Sequence, residues 1–166
     1  MSERDISLNL LETARQYTLS LLDGLAEDEW YAMPGGSPSH IAWQIGHITF
    51  AQFGLAIARS FGTGPQDEGV LPDNYAELFG KGTQPSADRA RYPTVAQLRA
   101  ALDRVHSHVM AWLRAVPEQA FREPAAEPIL HMKTRGDLVR FTALHEMLHA
   151  GQIGLIRRLL GKPPLR

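Results

Sequence analysis

Four long segments whose apolar residues recur every three or four positions, each set off by proline or glycine, restrict the fold most. In the first, from about Asp5 to Leu25, Leu8, Leu11, Ala14, Thr18, Leu21, Leu22 and Leu25 share one helical face. A stripe of this kind has to be buried against other helices. The run Pro34-Gly35-Gly36-Ser37-Pro38 interrupts the pattern. A second helix is expected from a Ser39 N-cap to about Phe61, stopped by Gly62, Thr63, Gly64 and Pro65.

The third helix opens on Thr94-Val95-Ala96-Gln97, a capping box in which threonine and glutamine satisfy each other's amides, and runs to about Ala115. The fourth starts after Thr134, with Asp137 in its first turn, and continues through Leu160. Gly161 then supplies a left-handed residue and Pro163-Pro164 forbid continuation. Residues 63–93 and 117–133 remain as long connections, with a short helical piece near Asp73–Phe79. A connection of such length is often functional and can cover one end of a bundle. Neither strand alternation nor a hairpin dipeptide is visible. The expectation is a single all-α domain over residues 1–166, a four-helix bundle with long connections between helices 2–3 and 3–4. Either connection can serve as a crossover between non-adjacent helices.

Composition narrows the function classes. At 166 residues and 44% hydrophobic content, one core can form without staples. The net charge of −1 and scattered arginines offer no face for nucleic acid. The one basic cluster, Arg157, Arg158, Lys162 and Arg166, reads as cations at a helix C-terminus. No run of about 18 apolar residues is present and the N-terminus is charged and amphipathic, so no membrane partner and a cytoplasmic location are expected. The absence of cysteine excludes disulfides, thiolate ligands and a cysteine nucleophile.

The chemistry is concentrated in His145-Glu146-Met147-Leu148-His149. Residues four apart on a helix lie about 6 Å apart on one face, so two imidazoles can meet one ion. They share a stripe with Leu138, Phe141, Gln152 and Ile156, which points inward. Burying two imidazoles without partners costs a few kcal/mol, which a metal or dedicated hydrogen bonds must offset. A third histidine, His47, lies in the apolar second helix, where Gly46, Ala51 and Gly54 leave room beside its ring. The His-Glu-x-x-His string also spells a zincin motif, but no His, Asp or Glu follows His149, so a third ligand has to come from upstream. Glu146 is the candidate acid/base group, against a plain reading as a solvent-facing or helix-pairing carboxylate. His40, His106, His108 and His131 are read as non-ligands; His106 and His108, two apart, cannot both face one ion.

The segments Leu22-Asp23-Gly24-Leu25 to Trp30, Pro34-Gly35-Gly36-Ser37, Trp43-Gln44-Ile45-Gly46-His47-Ile48, His145 to Ile153 and Arg157 to Pro163 resemble the DinB/YfiT-like superfamily of four-helix-bundle metalloenzymes over nearly the whole chain. The resemblance implies that His47, His145 and His149 form a metal triad for a divalent ion, often zinc or nickel, with open coordination positions. It also implies a homodimer. Characterised members are similar to S-transferases that use low-molecular-weight thiols, or to a mycothiol-dependent isomerase; others are described as hydrolases. A polar neighbour of the first ligand, a second histidine or an asparagine, is common in the family, whereas here Ile48 and Thr49 follow His47, so polar assistance is expected from Thr49 or from elsewhere.

Three imidazoles with an open position suit catalysis, since structural zinc sites usually have four protein ligands. An open zinc ion lowers the pKa of bound water to about 7, or stabilises a thiolate, which without cysteine must come from outside. The expected function is a metal-dependent enzyme acting on a small molecule, a thiol-dependent S-transferase or a hydrolase, with Glu146 or Gln152 assisting. The competing expectation is a non-enzymatic, dimeric, stress-related metal-binding protein in which the ion is structural or sensory.

Overall fold

In a computed structural model, which describes residues 2–165, the four expected long helices are present. Helix α1 (Glu3–Ser20) is held at its start by a capping box between Ser2 and Asp5. It ends earlier than the periodicity suggests. Leu21 and Leu22 stay buried but belong to a turn, which Gly24 closes at φ +69°. The carbonyls freed there accept from Arg157, whose Nη1 donates to Leu21 (2.7 Å) and Asp23 (2.8 Å), and Lys162 reaches Gly24 (3.0 Å). Two members of the expected C-terminal cation cluster thus satisfy another helix's end; Arg166 lies outside the described residues.

Helix α2 (Ile41–Phe53) continues as a π-helical stretch, Gly54–Arg59. Its N-cap is His40 rather than Ser39: the imidazole Nδ1 accepts from the Trp43 amide at 3.1 Å. The Ile41–Arg59 stretch has a mean hydropathy of 1.2, long and apolar enough to cross a membrane, but two-thirds of it is buried within the bundle as a core helix. Helix α3 (Tyr75–Phe79) is the short piece expected in the long connection. Helices α4 (Val95–Ala115) and α5 (Arg135–Leu159) begin on capping boxes, Thr94 with Gln97 and Thr134 with Asp137. Gly161 ends α5 at φ +80° while the Lys162 amide donates back to Arg157.

The second connection differs from expectation. Residues Pro124–Ile129 (β1) and Met132–Thr134 (β2) form an antiparallel hairpin. Its turn uses Leu130 at φ +50°, where glycine or asparagine would have signalled a turn. Ala125 and Met132 pack on Ala51, Leu55 and Leu138, so the hairpin closes the seam between α2 and α5.

Contacts along the helices define their directions. Glu3 meets Arg140, Arg15 meets Glu146 and Leu21 meets Arg157, so α1 and α5 run parallel. Gln44 meets His149 while Leu55 meets Leu138, so α2 and α5 are antiparallel. The connection from α2 to α4 is pinned by Asp67, which accepts from His108 (2.7 Å), and by Val70, whose carbonyl accepts from Arg104 (2.8 Å).

Besides the small cluster under the hairpin, the core is two larger hydrophobic clusters with a polar layer between them. One contains Trp30, Ile41, Ile45, Phe79, Leu98 and Ile153; the other Leu11, Ile57, Val105, Val109, Phe121 and Val139. Between them Arg15 donates to both Glu146 oxygens (2.9 and 3.2 Å), to Gln52 Oε1 (2.8 Å) and to the Leu102 carbonyl (3.0 Å). Gln52 in turn donates to His106 Nδ1 (2.9 Å), whose other nitrogen donates to Glu12 (3.3 Å). Each of α1, α2, α4 and α5 contributes a side chain, and a buried network so fully paired specifies how the four pack.

Candidate metal centre

His47 projects from α2 and His145 and His149 from α5, and one nitrogen from each lies within 4.8 Å of the other two. The antiparallel packing of α2 on α5 produces this meeting, and the four-residue spacing in α5 puts both of its rings on the α2 side. Ring centroids are 5.2 Å apart for His47–His145 and 4.6 Å for the other two pairs. Among the described residues no carboxylate joins the group.

Two of the rings are oriented from behind. His149 Nδ1 donates to Gln44 Oε1 at 2.5 Å, and the Gln44 amide donates to Ser39 Oγ at 3.1 Å. His47 Nδ1 donates to the Phe79 carbonyl at 2.6 Å. With Nδ1 spent on an acceptor, each ring keeps its Nε2 lone pair free, the arrangement typical of metal-ligating histidines. Trp43 stacks flat on His47 (centroids 4.9 Å, planes at 9°) and its indole donates to Thr83. The long connection therefore supplies both Phe79 and Thr83 to the surroundings of His47. His145 has no hydrogen-bond partner among the described residues, and Phe141 lies 6.1 Å from its ring.

Burial keeps all three imidazoles neutral. Desolvation lowers His47 below its ordinary value. It brings His145 to about 4, helped by the neighbouring His47. His149 falls to about 3, through desolvation first and then the charges of His145 and His47, with the Gln152 side chain opposing. Three neutral, converging imidazoles, two of them with lone pairs oriented from behind, fit a divalent ion.

Other expected residues stand elsewhere. Gly46 makes room for the Phe79 ring, which a Cβ would strike, and not for an ion. Thr49 is buried and bonded to the Ile45 carbonyl (2.8 Å), so it does not assist His47. Gln152 is exposed rather than core-facing, but its side chain stays beside the His149 ring. Glu146 is buried against Arg15, the helix-pairing arrangement. His106 and His108 bond to different partners, His131 is exposed in the hairpin, and His40 is a buried cap. Gln44 and Phe79 carry no sequence signal of their own. A glutamine one turn before a histidine is unremarkable until His149 is brought opposite.

The profile of the DinB superfamily matches residues 10–153, most of the chain. No curated protein matches it.

Proposed function

The chain belongs to the DinB superfamily, and from that premise we propose that it is a metal-dependent thiol S-transferase acting on a small molecule, with His47, His145 and His149 as ligands. The observation that carries this reading is the pair of rear hydrogen bonds from His149 to Gln44 and from His47 to Phe79, which pre-orient two donors toward a common point. A bound divalent ion, zinc or nickel, would supply Lewis acidity and a soft site at which an external low-molecular-weight thiol ionises. The chain's own part is to hold three neutral donors, to shield one flank with the Trp43 indole, and to leave the remaining positions open.

The choice of transfer over hydrolysis rests on Glu146. It is the one carboxylate in the His-Glu-x-x-His string, and Arg15 engages both of its oxygens inside the core. A hydrolase of zincin type needs that group as general base, whereas a thiol, with a pKa near 8.5, loses its proton to solvent once a cation is beside it. The reading of the ion as a staple is disfavoured by the two hydrophobic clusters, which close the bundle without it.

The test is elemental mass spectrometry on untagged protein beside His47→Ala and His149→Ala, purified without metal-affinity resin. Metal-loaded protein is then assayed for conjugation of small thiols to electrophiles. About one ion per chain in the parent, little in either variant, and thiol consumption that stops on chelation are expected. No ion after reconstitution, or turnover equal with and without thiol, would overturn the proposal.

A further inference from the structure

A cleft of about 490 Å³ opens between α4 and the long connection that leads into it. On the α4 side Gln97, Ala100, Ala101 and Arg104 follow one another on a single helical face. The two alanines leave the middle of that face empty, and the polar residues stand at its ends. On the other side α3 supplies Tyr75 and Leu78, and the approach to α4 supplies Arg91 and Tyr92. The volume falls in the range of roughly 300–1,000 Å³ that small-molecule sites occupy.

Its polar groups are donors that lack acceptors. Tyr75 is 2% exposed, yet its hydroxyl has no hydrogen-bond partner among the described residues. The Tyr31 and Tyr92 hydroxyls differ, one donating to the Pro93 carbonyl (2.7 Å) and the other accepting from the Ser86 amide (2.8 Å). Nor is the Tyr75 oxygen sealed in, as the unpaired Thr18 Oγ1 and His40 Nε2 are, so it meets the open cleft. Burial raises this hydroxyl to about 12, against the nearby charge of Arg104, and so keeps its proton in place. Arg104 is tethered by Nε to the Val70 carbonyl (2.8 Å), which leaves its terminal nitrogens free. Neither Arg104 nor Arg91 has a carboxylate partner among the described residues, whereas Arg89 pairs with Glu27 (3.0 Å). Gln97 spends its side-chain oxygen on Thr94, so its amide nitrogen remains. Among the described residues no aspartate or glutamate lines the cleft.

Two guanidiniums, a phenol and an amide gathered on one cleft with no acid among them select an anion, and the planar guanidinium fork matches a carboxylate. Gln97 lies in the first turn of α4, where the helix macrodipole adds to the same preference. The rest of the wall is apolar: Leu78, Ala101, Pro93 and the two tyrosine rings. An inorganic anion would leave that surface wet. A ligand with a flat hydrocarbon body covers it, and beside two tyrosines an aromatic body gains ring contacts as well.

We propose that this cleft binds a small aromatic carboxylate, its head held by Arg91, Arg104 and the Tyr75 hydroxyl and its ring laid over Leu78 and Ala101. The site is separate from the metal centre. Phe79 stands between the two, its ring against Tyr75 (centroids 4.8 Å) and Gly46, its carbonyl on His47. The inference stands on the cleft alone and depends neither on metal nor on the thiol reading.

Calorimetric titration of the full chain with phenylacetate, with and without chelator, tests the assignment. Saturable binding with a Kd below about 1 mM is expected, equal in the two conditions because the ion takes no part. Arg91→Gln and Arg104→Gln should each weaken it about tenfold or more, the worth of a charged hydrogen bond. Tyr75→Phe keeps the ring against Phe79 and removes only the donor, with a loss of about tenfold. Ala100→Phe, at an exposed position, should fill the cleft and abolish binding while far-UV circular dichroism stays unchanged. Phenylacetamide, which lacks the charge, and inorganic phosphate, which lacks the ring, should each bind about tenfold more weakly or worse. Absence of saturation by about 10 mM phenylacetate overturns the proposal. So does phenylacetamide binding as tightly as the acid, binding that disappears on chelation, or an unchanged Kd in both arginine variants.

Discussion

Replacing Arg15 by methionine tests the polar layer on which the four helices converge. Methionine fills much of the same volume, so the effect is electrostatic rather than a cavity. The substitution removes four hydrogen bonds and leaves a Glu146 carboxylate that is 2% exposed facing no cation. Breaking one side of a buried pair costs about 3–5 kcal/mol. The orphaned Gln52 oxygen and Leu102 carbonyl add about 1 kcal/mol each or more. A total near 5 kcal/mol is a large share of the roughly 5–15 kcal/mol that holds a domain together. At about 2–4 °C per kcal/mol for a chain of this size, the midpoint should fall by roughly 10–20 °C. In Arg15→Met/Glu146→Leu the unpaired charge is gone, and most of the loss should return, leaving the double variant within about 2 kcal/mol of the parent. Urea and thermal unfolding followed by circular dichroism, with chelator present throughout, measure all four corners of the cycle. A single-variant loss under about 1 kcal/mol, or single losses that simply add in the double variant, would refute the coupling.

Three further expectations concern the histidines. Gln44→Leu should lower metal affinity about 10- to 100-fold, measured by competition with a chromophoric chelator, with little change in the apo fold; unchanged affinity would remove Gln44 from the site. Gly46→Ala should push on the Phe79 ring, costing about 1–3 kcal/mol of stability and loosening the carbonyl that holds His47, so unfolding and metal titrations should shift together. The buried cap His40 has its pKa lowered by desolvation from 6.5 to about 4. Between pH 6.5 and about 4 the unfolded chain binds the extra proton, so this residue's contribution is complete above pH 6.5 and declines as the pH falls. At about 1.4 kcal/mol per pH unit that is roughly 3 kcal/mol. His40→Asn, which keeps a capping side chain, should flatten the stability profile over that interval, and an unaltered slope would contradict the assignment.

Much of this was readable beforehand because it is local. The capping box at Thr94, the helix start after Thr134 with Asp137 in its first turn, and the glycine stop at Gly161 involve residues within a turn of each other, and each stands where it was expected. The His-x3-His pair is equally local, and His47 stood out because an apolar helix has little use for a lone imidazole. What escaped notice depends on residues distant in sequence. Arg15 and Glu146 are ordinary helical charges until α1 and α5 lie side by side. The Phe79 carbonyl and Gln44 acquire roles only when the connection and α5 fold back. The hairpin was hidden for a local reason: Pro124 and Pro128 obscure its alternation, and Leu130 takes a conformation that its side chain does not advertise.

The pairing of α2 with α5 also governs the order of events during synthesis. His47 leaves the ribosome about 100 residues ahead of its partners on α5. At translation rates of about 5–20 residues per second, the interval lasts roughly 5–20 s. During that time a growing chain offers a single imidazole, too few donors to retain an ion. An ion taken up by the proposed site would therefore arrive late, on chains whose α5 has been made and docked onto α2.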